Sequence, residues 1–236
     1  MIQWSLDNDA EVKCFQEFYN KSSSDVFNVH KKMTDAGWTH VYQKNRFVDS
    51  KSGEFGQAIF SKHPILNKGD VNDASGKFLN SIWADLLIGT DTVRVYNVHL
   101  ESMSIDENDI VDTEKLKNSY LSTGYKLRSG FKTRSSQVQG LVNDIAHCKY
   151  PMIICGDLYD LPFSYPYTLL RRNLSNAFES SGSGFGFSYN GRLFFLRIDN
   201  QFFSDHFTIH NFKTHRKVKH SDHFPLTATY SLINPN

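Results

Sequence analysis

The chain has 236 residues and a formal net charge of +1, so no global field draws in a polyanion, and any anion binding must come from local clusters. Its hydrophobic content of 39% supports a substantial core, and one β-rich domain over residues 1–236 is ordinary for this length. Nineteen Phe and eleven Tyr favour sheets, because flat side chains pack well on a pleated, half-buried surface.

In chain order, Val12 to Gln16 is a short, mostly apolar strand. Asp25 to Ala36 reads as a helix, with Ser24 as N-cap and Gly37 as stop. Gln57 to Ser61 is strand-like. Ile82 to Ile88 and Val93 to Leu100 flank the turn-rich Gly89-Thr90-Asp91-Thr92 and predict a hairpin. Val138, Leu141, Val142 and Ile145 recur at helical spacing, which predicts an amphipathic helix from Ser135 to His147. Met152 to Cys155 is a continuous apolar run ended by Gly156, the pattern of a strand buried on both faces. A short helix over Tyr165 to Arg172 follows. Strands over Phe194 to Phe203, Phe207 to Phe212 and Leu226 to Leu232 complete the set. Strands and helices mix without strict alternation, which favours an α+β sandwich.

Residues 101–134 read as a charged insertion. Its first part carries Glu101, Asp106, Glu107, Asp109, Asp112 and Glu114, and its second Lys115, Lys117, Lys126, Arg128, Lys132 and Arg134. The plainer reading is a solvated segment whose halves neutralise each other. The sharper one is a basic flap bearing Tyr120, Tyr125 and Phe131 over a phosphate site. Cys14, Cys148 and Cys155 are odd in number and read as buried free thiols, which fits a reducing, cytoplasmic compartment. No run approaches a membrane span, and no signal peptide is visible; a membrane anchor upstream stays compatible with that.

Five polar groups sit at the ends of apolar strands, where a scaffold can present them. They are Gln16-Glu17, Asn97-Val98-His99, Gly156-Asp157, Arg197-Ile198-Asp199 and Ser221-Asp222-His223. Each alone has a bland reading: a solvated Glu, a half-buried His, a Gly-Asp turn, an Asp paired with Arg197 or Arg192, a Ser-Asp cap. Together they offer carboxylates for a hard cation, histidines to move protons, and a carboxylate to orient an imidazole.

Their order and local sequences resemble the endonuclease/exonuclease/phosphatase family, the DNase I-like fold. The resemblance spans roughly residues 12–230 and is carried by Cys14-Phe15-Gln16-Glu17, Val95-Tyr96-Asn97-Val98-His99-Leu100, Cys155-Gly156-Asp157, Arg197-Ile198-Asp199 and Ser221-Asp222-His223-Phe224-Pro225. It implies a four-layer α/β-sandwich with two packed mixed sheets, acting as a metal-dependent hydrolase of phosphodiesters or phosphomonoesters. By the same resemblance Glu17 is the principal Mg²⁺ (or Mn²⁺) ligand and Asp222 a second metal-site carboxylate. His223 stands beside the scissile phosphate with Asp199 holding its ring. Asp157 positions or deprotonates the attacking water, and His99 bonds the phosphate or assists the leaving group. Ser221 and Tyr159 fall at substrate-contacting positions. The implied substrate is a nucleic acid, a lipid head group or a small phosphate.

Two departures from the family pattern stand out. Tyr159 takes the place of an Asn that contacts phosphate, which either crowds the site or points away. Glu17 also lies too near Met1 for the family's first strand, which ends in an Asn near the metal. The chain is thus expected to be N-terminally truncated relative to the family, with residues 1–8 as the end of a helix and the open edge covered by self-association or another segment. Two alternatives follow: a weakened or inactive phosphate-binding scaffold of the same fold, and an adhesive sandwich in which the five groups do not converge. Lys213, Arg216, Lys217 and Lys219 form a basic stretch that either guides an anionic substrate or is a solvated loop.

Overall fold

The computed structural model describes residues 1–49, 53–73, 76–102 and 113–233. Among the described residues, eleven strands and five helices stack as four layers, the expected α/β-sandwich. Its inner layer is a six-stranded sheet. The strands are β4 (Ile65–Asn72), β5 (Phe78–Ile88), β6 (Asp91–His99), β7 (Met152–Asp157), β9 (Asp199–Phe203) and β8 (Ser175–Asn176), in that order across the sheet. The β5–β6 hairpin forms where the alternating apolar runs predict it, with Ile88 paired to Asp91. β7 lies parallel to β6 and antiparallel to β9. Gly156 is required here, because a Cβ at that position would come within 1.9 Å of the Val98 carbonyl oxygen.

Facing this sheet are a three-stranded sheet, β1 (Val12–Asn20), β3 (Gly53–Ser61) and β2 (His40–Asp49) in the order β1-β3-β2, and the pair β10 (Phe207–Thr214) with β11 (Leu226–Leu232). Strand periodicity decides which side chain enters which core. In β3, Ile59 points between the sheets, where it joins Ile82, Leu86, Val93 and Phe212. Its neighbours Ala58 and Phe60 point outward and meet Met33 and Trp38 beneath α1 (Ile2–Asp7) and α2 (Val29–Asp35). Tyr96, Val98 and Ile154 on the far face of the six-stranded sheet pack against Val138 and Leu141 of α3 (Thr113–Ala146) and Leu170 of α4 (Tyr165–Arg171). Each such side chain contributes about 1.5–3 kcal/mol by leaving water. The short α5 (Ala177–Ser181) closes one end of the inter-sheet core through Ala177.

Several expectations are corrected. α2 starts at Val29, because Asn28 caps it by accepting from the Lys31 N–H, while Ser24 caps an earlier turn through the Phe27 N–H. Gly37, at φ +104°, ends it as expected. Residues 194–198 are not part of a strand: Asp199 opens β9, and Phe194 and Phe195 are exposed in the preceding loop. The helix expected from Ser135 begins at Thr113 and takes up most of the charged insertion. Arg134, counted there as solvated, is fully buried, with its Nε 3.2 Å from Asp160 and its Nη1 donating to the Glu101 carbonyl at 3.1 Å. Asp106, Glu107, Asp109, Asp112 and the Tyr120 side chain lie outside the described residues. The three cysteines are free and only half-buried.

Residues 2–7 are helical, as expected for the N-terminal segment. Among the described residues β1 pairs only with β3 and β11 only with β10, and nothing in the structure supports self-association over those edges. Among the described residues no helix is long and apolar enough to cross a membrane.

Candidate active site

Three of the five motifs meet because of strand register. His99 at the end of β6 is paired with Asp157 at the end of β7, and Asp157 with Asp199 at the start of β9. One rim of the sheet therefore presents an imidazole and two carboxylates in a row. Ser188, fully buried in the loop before β9, holds Asp199 in place by accepting from its N–H at 3.0 Å and from the Ile198 N–H at 3.1 Å. Arg197 turns the other way, toward Tyr167 and Phe178, so it does not pair with Asp199.

The loop before β11 delivers His223. Its Nδ1–H donates to Asp199 at 2.8 Å, and its Nε2 lies 3.9 Å from the Asp157 carboxylate. Carboxylate contact at Nδ1 fixes the tautomer and leaves Nε2 to face the site. Ser221 shapes this corner by accepting from the His223 N–H and donating to Asp222 at 3.0 Å. Asn190 anchors the corner through the Asp222 and Ser221 carbonyls, and Tyr189 bridges to His223 with its ring edge-on. Ser188, Tyr189 and Asn190 are site residues that the sequence did not reveal. They sit in an irregular loop with no strand-end signature, and only their tertiary position gives them a role.

Glu17 enters from the opposite layer. The β1–β3 register shifts between Phe15 and Phe18, and Glu17 adopts a left-handed φ of +51°. Such a bulge re-aims a side chain out of the strand's alternation. Buried Asn97 pins it by accepting from Gln16 and donating to the Phe15 and Ala58 carbonyls at 2.8 and 3.1 Å. The Glu17 carboxylate stands 3.9 Å from His99 Nε2.

Tyr159 does not point away. It has φ +47°, and its N–H donates to Asp157 at 2.7 Å. The ring lies 5.4 Å from that of His99 and 6.3 Å from that of His223. Burial, followed by the charges of Asp157, Glu17, Asp222 and Asp199, holds the phenol protonated well above its usual range.

The two histidines are driven apart. Burial lowers His223, but the hydrogen bond and charge of Asp199, backed by Asp157 and Asp222, outweigh it and push the pKa up to about 9. Burial, the His223 charge and Arg46 pull His99 down to about 4, against Asp199. Asp157 is pushed up by burial and by Asp199 beside it. Environments that separate two like groups in this way assign them different proton roles.

Among the described residues Asp157, Asp199 and His223 have potential ligand atoms within 4.8 Å of one another. Glu17 and Asp222, both exposed, lie outside that set. Because His223 already spends Nδ1 on Asp199, the trio is a hydrogen-bonded His–Asp pair with a neighbouring carboxylate. Glu17, His99, Asp157, Asp199 and Asp222 converge around Tyr159, which the adhesive-sandwich alternative does not predict.

A sequence model of the Endonuclease/Exonuclease/phosphatase family matches residues 2–223. No curated protein matches the chain. Among solved structures, an endonuclease/exonuclease/phosphatase from Beutenbergia cavernae superposes with a TM-score of 0.68 at 13% identity, over 98% of this chain and 65% of that one. A Bacteroides thetaiotaomicron mannosyl-6-phosphatase gives 0.63 at 17%, over 98% of this chain and 89% of that one. The 3′ phosphatase NExo from Neisseria, bound to product DNA hairpin, gives 0.65 at 17%, over 98% and 93%. At these identities the likeness shows the fold. The chain spans about two thirds of the length of the first of the three.

Proposed function

We propose that this chain, which belongs to the endonuclease/exonuclease/phosphatase family, is a divalent-metal-dependent hydrolase of phosphoester bonds. The observation that carries this reading is the 2.8 Å Asp199–His223 pair with Asp157 beside it on the same sheet rim. Asp199 orients the imidazole and stabilises its charged form. His223 Nε2 faces the phosphate and offset the charge that develops on it. Asp157, adjacent and buried, positions the attacking water and takes its proton. Neutral His99 bonds a phosphoryl oxygen or the leaving group, and Ser221 holds the loop that carries Asp222 and His223.

The donor set fits a hard cation. Asp157, Glu17, Asp222 and Asp199 all act on the Tyr159 phenol, so four carboxylates share one site, and Asp157 is pushed up by burial and then by Asp199. Glu17 and Asp222 would hold Mg²⁺ or Mn²⁺, since neither is engaged by a histidine hydrogen bond. When bound, such a cation polarises the phosphoryl oxygen and lowers the pKa of coordinated water.

Tyr159 favours a second reading, a weakened or inactive phosphate-binding domain, because its ring fills space between the two histidines. In the first reading its phenol donates to a phosphate oxygen. Two structural neighbours are named as phosphatases, which favours trying phosphomonoesters first. A panel of phosphomonoesters and phosphodiesters with Mg²⁺ or Mn²⁺ separates the two readings. Metal-dependent turnover that falls by about 10²–10⁴ in His223→Ala establishes the hydrolase. Absence of turnover in both wild type and Tyr159→Asn leaves the scaffold. A gain in Tyr159→Asn alone assigns the weakness to the ring.

A further inference from the structure

The rim that presents the site also carries a fringe of exposed apolar side chains. Two loops leave the sheet there, one after Asp157 and one before Asp199, and these residues are cross-strand partners. The first loop bears Leu161, 47% exposed, and Phe163, 90% exposed. The second bears Phe185, 79% exposed, with Phe194 and Phe195 about half exposed. Phe163 has φ +73°, a backbone conformation that L-residues rarely adopt, and its ring stands in solvent.

Cations flank the fringe. Arg216, Lys217 and Lys219 are exposed in the loop that leads into Ser221. α3 has 34 residues, about 51 Å of helix, and it meets the residue after the rim, Glu101, through Arg134 and Gln137. The turns before Arg134 run past the rim and expose Lys126, Arg128 and Lys132. Residues 124–134, 161–172, 182–198 and 213–221 contain no Asp or Glu. Exposed cations and apolar tips thus stand on loops and a helix around the acidic centre, in a chain of net charge +1.

We propose that this face docks on an anionic lipid bilayer, with Phe163 and Phe185 entering the acyl boundary and the flanking lysines and arginines meeting acidic head groups. Apolar insertion combined with basic attraction is the general mode of interfacial binding, and cations near an anionic leaflet add to it. The shape of the fringe favours lipid over single-stranded nucleic acid. Base platforms offer flat aromatic faces along a groove, whereas these tips stand on separate loops, Leu161 has no π-face, and Phe185 already stacks on Phe187. The proposal goes beyond hydrolysis and does not depend on it.

The test is co-sedimentation of the full chain with vesicles of phosphatidylcholine alone and with about one third phosphatidylserine. The expected result is pelleting with the anionic vesicles at low salt and much less with the neutral ones. The double substitution Phe163→Ser/Phe185→Ser lowers the partition coefficient by about tenfold or more, with an unchanged melting curve. Lys217→Gln/Lys219→Gln removes the preference for phosphatidylserine. Absence of pelleting at low salt overturns the proposal, as does a double Phe variant that binds like wild type. Binding of a fluorescent single-stranded oligonucleotide that the Phe substitutions abolish, with no vesicle binding, assigns the fringe to nucleic acid and overturns it equally.

Discussion

Asn97 is fully buried, and its amide makes three hydrogen bonds, two to Phe15 and Gln16 at the bulge of β1 and one to the Ala58 carbonyl of β3. That bulge turns Glu17 toward the site, so Asn97 positions a carboxylate it does not touch. Asn97→Leu keeps the size and removes all three bonds; at about 1 kcal/mol each, the expected loss in urea unfolding is about 2–3 kcal/mol. The affinity for Mg²⁺ or Mn²⁺ should fall with it, read by metal titration at fixed substrate. A merely structural Asn97 would leave the metal titration of the folded fraction unchanged. His215 offers a second test at this scale. Its ring meets Trp4 edge-on at 5.0 Å and bonds Thr227, and burial, then Lys213, lowers its pKa. With the folded pKa below the unfolded one, the unfolded chain binds the proton more readily. This contribution to stability is present above the ordinary histidine value of about 6.5 and is lost as pH falls through the lowered folded pKa. The melting temperature of wild type should therefore drop relative to His215→Gln between neutral pH and mildly acid pH. A constant difference across that range would remove His215 from the pH response.

At the scale of elements, α3 and the loop after β7 are fastened by one buried ion pair. Arg134 is fully buried and its partner Asp160 nearly so, only three residues beyond Asp157. Removing one partner of such a pair strands the other charge, at about 3–5 kcal/mol. Asp160→Ala should lose stability on that scale in denaturant unfolding, whereas replacing both, as Arg134→Met/Asp160→Leu, should recover most of it. The double variant tests the pair as such, because a loss that persists would mean that the Glu101 carbonyl contact of Arg134 dominates. Neither residue announced this in the sequence, where Arg134 closed a basic run that reads as solvated. The elements that were legible are those with an unbroken physical pattern: the β5–β6 hairpin, β7 and the amphipathic end of α3. β2 (His40–Asp49) and β4 (Ile65–Asn72) were not, because both are edge strands with polar, half-exposed positions. Phe194 to Ile198 looked like strand because the aromatic Phe194 and Phe195 mimic a sheet pattern even though they face solvent. The candidate site was legible to the extent that its members end strands. His99, Asp157 and Asp199 fall in line because registers align at one rim. Ser188, Tyr189 and Asn190 were hidden because a loop's role depends on where the chain folds it.

For the whole molecule, the decisive feature is that the site is shared between layers. Glu17 belongs to the three-stranded sheet, His99, Asp157 and Asp199 to the six-stranded one, and Asp222 and His223 to the loop that feeds β11. Without a cation, the carboxylates from these layers repel across the rim, and apolar packing between the sheets through Ile59, Leu86 and Phe212 must hold them together. A divalent cation bound by Glu17 and Asp222 would turn that repulsion into a cross-link, and a ligand that binds only the folded chain stabilises it by mass action. At a hundredfold excess over its dissociation constant the gain is about 2.7 kcal/mol. Thermal melts with Mg²⁺ or Mn²⁺ against EDTA should therefore show an upward shift that saturates with metal. Glu17→Gln and Asp222→Asn should each abolish the shift. Their metal-free melting temperatures should stay level or rise, since each removes one of the crowded charges. A metal-induced shift that survives both substitutions would move the cation to the Asp157–Asp199–His223 trio, where His223 would have to exchange its bond to Asp199 for a bond to metal. In that case Asp199→Asn would be the substitution that removes the shift, and His223 would no longer serve as the charged partner of the phosphate.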